Sequence, residues 1–215
     1  MVDISKLTLP NNATYDIKDT VSEFGGTNLL WATTNPAIPA VSSGNAAFTC
    51  GVVGFYNSPI SAFSIEDYDA HSKTLIITET ATGNRGAAWA TSPGIIEMGK
   101  TYTFSCLLKP NVAVTAHMHT GWRNGSATAG YTGWTMAGSK SIPANVWTKY
   151  VFTFQPAASA KLDWEYQIGM CFTGQTTGVT CRFAHAKLEK GNKPTDWTPA
   201  PQDLVKVSGT QLQFY

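Results

Sequence analysis

The chain has 215 residues, of which 43% are hydrophobic and 13% are charged, and its formal net charge is +1. The hydrophobic share is enough for a sizeable core, whereas the charged share is about half of the ~25% usual in globular proteins. Because the sequence has no basic cluster, a nucleic-acid backbone and a membrane surface are poor partners. It also has no apolar run of ~18 residues and no cationic leader, so it predicts neither a spanning helix nor a signal peptide.

Residues 1–26 predict a hairpin leader. Two strand-like segments, ISKLTL at 4–9 and TYDIKD at 14–19, flank the turn signal Asn11–Asn12, which is the pattern of a β-hairpin. Two interpretations are open for this leader. It is either an ordinary hairpin without a special role or a segment for attachment or oligomerisation.

Residues 27–200 form the predicted body, and its strand signals are dense. Apolar residues alternate with polar ones at a period of two, and no helical periodicity separates the segments. This pattern predicts an all-β fold, an antiparallel β-sandwich, and the long connections are typical of a jelly roll. The predicted strands are NLLWATT (28–34), AFSIED (62–67), KTLIITET (73–80), RGAAWAT (85–91), TYTFSCLLK (101–109), VAVTAHMHT (112–120), WTKYVFTFQP (147–156), WEYQIGMCF (164–172) and RFAHAKLE (182–189).

The alternation also predicts which side chains point into the core. We expect an inward face on each of four strands. The inward residues are Tyr102, Phe104, Cys106 and Leu108; Val112, Val114, Ala116 and Met118; Tyr150, Phe152 and Phe154; and Trp164, Tyr166, Ile168, Met170 and Phe172.

The final strand is expected to end at Gly191, after which prolines prevent further ladder hydrogen bonds. Trp197 lies in this polar exit segment and is predicted to fold back over one end of the core. Residues 201–215 form a short C-terminal tail, which alternates loosely and is expected to add a strand.

Four segments, in this order, resemble jelly-roll domains like carbohydrate-binding modules of bacteriophage and prophage tail, baseplate and fibre proteins. They are NLL (28–30), MGKTYTFSCLLKP (98–110), NVWTKYVFTF (145–154) and KLEKGNKPTDWTPAPQD (187–203). The resemblance covers roughly residues 27–200.

The resemblance implies a non-catalytic virion module that binds a bacterial cell-surface glycan by aromatic stacking and hydrogen bonding. The alternative is a purely structural virion component, a capsid decoration or head-fibre protein, and an accessory module of a glycan-degrading enzyme ranks third. The expected location is the virion, assembled in the host cytoplasm. Residues 1–26 and 201–215 are expected to contact other virion proteins, and a homo-oligomer, taken as a trimer, is expected.

The segment HMHTGWRNGSATAGYTGW at 117–134 has the residue types that recognise sugars. Aromatic planes stack on the C–H faces of sugars, and Arg, Asn, His or Thr groups hydrogen-bond their hydroxyl rims. The candidate ligand-binding residues here are His117, His119, Trp122, Arg123, Tyr131 and Trp134. Their aromatics face a ligand, the core or a subunit interface, and the pattern leaves these alternatives open. Trp89 and Arg85 are a second candidate pair, although core burial is favoured for Trp89.

The sequence predicts no catalytic site, no metal ligand set and no cofactor. It has no Gly-x-Ser-x-Gly elbow, and the strand-borne carboxylates Glu165 and Glu189 are interpreted as outward-facing, solvated groups. His117 and His119 share a strand face without an evident third zinc ligand. The segment EDYDAH at 66–71 has three acidic residues close together, so a structural calcium ion bound there is left as an open alternative.

Four cysteines are present, and none of them forms a C-x-x-C pair. Cys106 is interpreted as a small buried hydrophobe. Cys171 and Cys181 flank a turn-rich stretch, so they can face each other across a hairpin, where a disulfide is sterically possible. Free thiols are favoured because the sequence carries no export signal.

Overall fold

The fold is known from a computed structural model that describes residues 6–8, 14–16, 26–36, 53–56, 63–80, 83–123, 131–162, 165–175, 177–203, 205–208 and 211–214. These residues form strands β1 (Lys6–Thr8), β2 (Thr14–Asp16), β3 (Val53–Tyr56), β4 (Phe63–Asp67), β5 (Lys73–Thr78), β6 (Gly83–Thr91), β7 (Tyr102–Pro110), β8 (Val114–Arg123), β9 (Tyr131–Ile142), β10 (Thr148–Phe154), β11 (Tyr166–Gln175), β12 (Thr180–Lys190), β13 (Val205–Ser208) and β14 (Gln211–Phe214). A short 3-10 helix at Pro201–Asp203 precedes β13. No helix among the described residues is long and apolar enough to cross a membrane.

Ten strands build two five-stranded antiparallel sheets. The first sheet has the order β10-β7-β12-β5-β4, and the second has the order β3-β6-β11-β8-β9. From β5 to β12 the chain changes sheet at every connection except the β8–β9 hairpin, so successive strands face each other across the core. The predicted antiparallel jelly-roll sandwich is therefore confirmed.

The two short hairpins lie outside both sheets. Strand β1 pairs with β2, and β13 pairs with β14, each in antiparallel register. The predicted leader hairpin is thus confirmed for its described strands. The tail forms a hairpin of its own rather than adding a strand to the sandwich.

The core lies between the sheets and is built by the predicted alternation on β7, β10 and β11. Aromatic pairs bridge the two layers, with ring centroids 6.2 Å apart for Trp89 and Phe104 and 5.4 Å apart for Phe172 and Phe183. The buried or partly buried members include Tyr102, Phe104, Cys106, Leu108, Val114, Ala116, Met118, Tyr150, Phe152, Phe154, Tyr166, Ile168, Met170 and Phe172. Val112 was placed wrongly, because β8 begins at Val114 and Val112 is exposed. Trp164 lies outside the described residues.

The predicted strand at 28–34 is wrong, because the segment makes one backbone hydrogen bond to β12, from the Leu29 amide to the Leu188 oxygen, and the Asn28 side chain makes its other bonds there. Its Oδ1 accepts a hydrogen bond from the Leu188 amide at 3.1 Å. Its Nδ2 donates to the carbonyl oxygens of Ala186 and Thr198, at 3.1 and 3.2 Å. Buried Asn side chains compete with backbone pairing in this way, so the segment runs beside β12 without joining the sheet.

Asp203 holds the same segment from the C-terminal side. Its carboxylate accepts hydrogen bonds from the amides of Ala32, Thr33 and Thr34 at 2.7, 3.2 and 3.3 Å. Ala32 has a φ of 58°, a conformation that costs energy for a residue with a Cβ. The carboxylate stabilises this turn and ties it to the end of the sandwich.

Cys171 and Cys181 lie in different sheets, so the expectation that they can face each other across a hairpin is wrong. Cys171 is on β11 of the second sheet and Cys181 is on β12 of the first. Cys106, Cys171 and Cys181 are free and buried, which agrees with the favoured free thiols. Burial raises the pKa of the Cys106 and Cys181 thiols far above the usual range, so both act as small apolar groups in the core.

Residues 194–200, here called the C-terminal strap, cross the outer face of the first sheet. Lys187, with no exposed surface, donates to Thr195 Oγ1 at 2.6 Å and to the Asp196 carbonyl at 2.7 Å. The Thr195 hydroxyl donates to Glu189 Oε2 at 2.6 Å, and the Thr195 amide donates to Oε1 at 2.8 Å. Glu189 is therefore buried and bonded, so its interpretation as a solvated group is wrong. Glu165 is buried as well.

Trp197 covers a sheet face rather than an end of the core. Its ring stacks on His185 with centroids 4.1 Å apart and planes at 4°. Together with Ser105 and Leu107 on the outer side of β7, it lines a small pocket of about 210 Å³. The predicted fold-back of Trp197 is real, but its target is the outer surface of the first sheet.

The substitution Lys187→Met should lower the free energy of unfolding by about 3–5 kcal/mol, because it leaves the buried Glu189 carboxylate without its cation. Urea unfolding measures this change. Lys190→Met is a matched control on the same strand, since Lys190 also pairs with a glutamate, Glu97, but at the surface. The control should lose less than about 1 kcal/mol. Equal losses in the two variants would contradict the role assigned to the strap network.

Candidate functional site

An open cleft of about 350 Å³ lies on the outer face of the first sheet, beside the strap. Its floor comes from β5, β7 and β12, and its walls come from the end of β4 and from the segment that precedes β10. The cleft is lined by Glu66, Asp67, Tyr68, Thr74, Lys109, Trp147 and Arg182.

Strand alternation explains why these side chains share one face. On β7 the inward residue Leu108 precedes Lys109, and on β12 Arg182 lies between the inward Cys181 and Phe183. Lys109 and Arg182 are direct partners in the β7–β12 register. Trp147 lies one residue before β10 and three positions before the inward Tyr150. Continuing the alternation of β10 back to Trp147 places its ring on the outer face of the sheet.

Aromatic rings form a continuous row across this face. Tyr68 meets Trp147 edge to face with centroids 5.2 Å apart, and it meets His185 in the same manner at 4.4 Å. His185 in turn stacks on Trp197. Each of these rings is partly exposed. The row joins the open cleft to the strap, so the position of Tyr68 depends on both.

Opposite charges border the aromatic row. Arg182 Nε donates to Glu66 Oε1 at 2.8 Å, and Lys73 pairs with Asp67. Lys109 Nζ lies 5.9 Å from the centre of the Trp147 ring, at the limit of a cation–π contact. The cleft therefore offers charged hydrogen-bond donors and acceptors next to an apolar ring face.

A buried hydroxyl completes the floor of the cleft. Thr74 is 1% exposed, and its Oγ1 has no hydrogen-bond partner among the residues the structure describes. Leaving a buried hydroxyl unbonded costs about 1–3 kcal/mol. A polar ligand atom in the cleft would relieve that cost.

The turn at residues 68–72 holds Tyr68 in place. Asp69 Oδ1 accepts hydrogen bonds from the amides of His71 and Ser72, both at 2.8 Å. These bonds, the His71 amide first, lower the pKa of the Asp69 carboxyl. The Ser72 hydroxyl donates to Asp69 at 2.9 Å and contacts His185 Nε2 at 3.0 Å. This hydroxyl is buried and bonded to a carboxylate. The contact between Ser72 and His185 therefore stabilises the turn, and Ser72 is not an exposed nucleophile.

The calcium site considered for residues 66–71 finds no support. One carboxylate oxygen of each acid is already bonded: that of Glu66 to Arg182, that of Asp67 to Lys73, and that of Asp69 to its own turn. Within the described ranges, no group of three His, Cys, Asp or Glu side chains is arranged to hold a metal ion.

Trp122 lies in the core rather than at a binding surface. Its ring is 7% exposed and belongs to the main hydrophobic cluster. The predicted recognition loop at 117–134 consists largely of β8 and β9, and 124–130 lies outside the described residues. Trp89 is also buried in the core, as favoured.

The side chains of Arg85, Arg123, Tyr131 and Trp134 lie outside the described part of the structure, and their ligand role stays a prediction.

His117 and His119 share the outer face of the second sheet, as their spacing predicts. His117 Nε2 contacts Thr173 Oγ1 at 3.2 Å. His119 is buried, and this burial lowers its pKa to about 4. The two histidines therefore lie in the opposite sheet from the cleft.

The cleft residues Tyr68, Thr74, Lys109, Trp147 and Arg182 were missed as candidates. A signal for three of them was present, because Lys109, Trp147 and Arg182 are out of phase with the inward residues of their strands. The sheet order that brings these strands together is not encoded in any local pattern, so their meeting was not predictable.

No protein-family model matches the chain, and no curated protein matches it significantly. Similar solved structures include a putative sugar binding protein from Bacteroides thetaiotaomicron, at 15% identity over 76% of this chain and 100% of that chain, with a TM-score of 0.49. Another is the CBM22-1 xylan-binding domain from Paenibacillus barcinonensis Xyn10C, at 9% identity over 79% and 98%, with a TM-score of 0.49. A third is CBM4, at 18% identity over 74% and 97%, with a TM-score of 0.46.

The substitution Gly133→Ala should destabilise the protein strongly, because a Cβ there would overlap the Trp122 ring. Gly99→Ala is the control. Both glycines have positive φ, 65° and 70°, but a Cβ at Gly99 would meet no described atom within 4 Å. The control carries only the backbone cost of about 1–2 kcal/mol. We expect Gly133→Ala to lose about 1–3 kcal/mol more from overpacking, measured by chemical denaturation. Equal losses would indicate that Trp122 is not fixed in the core.

Proposed function

We propose that this protein is a non-catalytic saccharide-binding module and that its site is the cleft on the first sheet. The observation that carries the proposal is the meeting of the Trp147 and Tyr68 rings with the unbonded Thr74 hydroxyl and the charged groups of Glu66 and Arg182. A flat apolar surface beside convergent polar groups suits a pyranose ring, which has C–H faces and a hydroxyl rim.

Each group has a separate role in this proposal. The Trp147 ring stacks on a sugar face, and Tyr68 forms the wall that sets the orientation of the sugar ring. Glu66 and Asp67 accept hydrogen bonds from sugar hydroxyls, while Arg182 and Thr74 supply donors. The strands and the bonded turn at 68–72 hold the groups before a ligand arrives, which lowers the entropic cost of binding.

We further propose that the module acts on a virion, as the sequence resemblance to phage tail, baseplate and fibre domains suggests. The hairpins within residues 1–26 and 201–215 lie outside both sheets of the sandwich, which suits contacts with other virion proteins. Several copies, three in our proposal, would add avidity to a weak single site. Mass spectrometry of purified particles tests this setting, and absence of the chain from them would reject it.

One observation favours a second function, assembly without a ligand. Strand β10 is an edge strand of the first sheet, and Val146 and Val151 on or beside it are 54% and 36% exposed. Apolar side chains on an edge strand suit a contact between subunits. If Val151→Asp dissociates an oligomer in light scattering while no glycan binds the wild type, the structural role is the better description.

The substitution Trp147→Ala should weaken glycan binding at least about tenfold, because it removes the stacking surface, and tenfold corresponds to about 1.4 kcal/mol. A glycan array identifies the ligand, and titration calorimetry measures the affinity of both proteins. Met136→Ala is the control, since Met136 is 50% exposed on the second sheet, away from the cleft. Unchanged affinity in Trp147→Ala would exclude this cleft as the site.

The substitution Thr74→Val should separate binding from stability. It removes a hydroxyl that has no partner, so we expect no loss of stability, while a lost ligand hydrogen bond should lower affinity about threefold to tenfold. Thr78→Val on the same strand is the control, because the Thr78 hydroxyl is bonded to Thr180 at 3.1 Å. The control should lose stability and keep its affinity. The reverse pattern would rule out a ligand contact at Thr74.

A further inference from the structure

Two cations face each other at the cleft. Lys109 on β7 and Arg182 on β12 are directly opposite in the antiparallel register, on the same face of the sheet. Side chains at such positions have Cβ atoms about 5 Å apart, and like charges there destabilise the pair. Anionic groups near the two cations would offset this repulsion.

Protein groups compensate one of the two cations. Arg182 donates its Nε to Glu66 at 2.8 Å, and the remaining acid of the cleft, Asp67, pairs with Lys73. The Lys109 ammonium has neither a carboxylate partner nor a hydrogen bond within the described ranges, and it lies 5.9 Å from the centre of the Trp147 ring. One positive charge is thus left over beside the proposed stacking platform.

The other acids near this face form no ion pair with Lys109 within the described ranges. Asp69 accepts hydrogen bonds from its own turn. Asp196 lies in the neighbouring pocket, together with Lys149 and the strap. Lys149 and Lys187 are themselves cations on this side of the sheet, and Lys187 is neutralised by Glu189. The cleft lining thus holds two acids and two bases, and within the described ranges Lys109 is the base that has no carboxylate partner.

We propose that the saccharide recognised in this cleft carries a carboxylate, as a uronic or sialic acid does. This inference rests on the proposed function. With a sugar face on Trp147, the carboxylate lies against the Lys109 ammonium, and the terminal nitrogens of Arg182 complete the contact. Arg182 keeps two terminal amino groups beyond its bond to Glu66, and a planar guanidinium matches a carboxylate in geometry. The unpaired Lys109 ammonium provides a partner for one anionic group.

The test is an array of acidic oligosaccharides, each printed beside its carboxyl-reduced form. The set contains galacturonic, glucuronic and mannuronic acid oligomers and sialylated glycans, together with glycans that carry a phosphodiester. We expect an acidic sugar to bind at least about tenfold more tightly than its reduced form. The preference should shrink between about 50 and 500 mM salt, because added ions screen a partly exposed charge.

Variants assign the preference to the lysine. Lys109→Gln should bring the affinities for the acid and its reduced form to within about threefold of each other, chiefly because binding of the acid weakens. Lys161→Gln is the control, because it makes the same change at an exposed lysine outside the cleft lining.

The outcomes separate the inference from the proposed function. Equal binding of acidic and reduced partners, or a preference retained in Lys109→Gln, would overturn the carboxylate and leave saccharide binding intact. Tighter binding of the phosphodiester glycans would also overturn it. Binding of no glycan at millimolar concentration would overturn the proposed function together with the inference.

Discussion

The hydrogen-bonded contact of Lys187, Thr195 and Glu189 is the interaction on which the outer face of the first sheet depends. A lysine without exposed surface is tolerated only when its ammonium is fully bonded. Here a hydroxyl and a carbonyl of the strap accept hydrogen bonds from the ammonium, and the Glu189 carboxylate pairs with it at 3.6 Å. The strap therefore cannot leave the sheet without exposing a buried ion pair. It covers one half of the face and leaves the other half open as the cleft.

A strained residue joins these two halves. The bulge between Ala184 and Lys187 gives β12 an extra residue against β7, and His185 within it has a φ of 54°. Such a conformation costs about 1–3 kcal/mol in a non-glycine residue. In this bulge the imidazole stacks on Trp197 and meets Tyr68. The wall of the cleft is thereby positioned by the same bulge that anchors the strap, so the shape of the cleft and the closure of the strap are not independent.

Period-two alternation allowed the sandwich and much of its core to be predicted, because burial on one face imposes that pattern directly. It identified the inward residues of β7, β10 and β11. It failed where a side chain replaced backbone pairing, as with Asn28, and where a strand began later than its apolar pattern, as with Val112. The cleft was beyond such reasoning, since β4, β7 and β12 are far apart in the chain and meet only through the sheet order.

The tryptophans show why composition misdirects the search for a binding site. The segment at 117–134 is rich in aromatic and small polar residues, yet Trp122 lies in the core, where Gly133 leaves room for its ring. Trp147 was predicted to begin an ordinary strand, but it lies one residue before β10, and its ring faces the outer surface beside Tyr68. A ring held by a sheet loses little freedom on binding a ligand, whereas a ring on a long loop must first be ordered. The need for a preorganised platform thus favours the Trp147 ring, which is held against Tyr68 next to β10, over the 117–134 segment, where the core already uses Trp122.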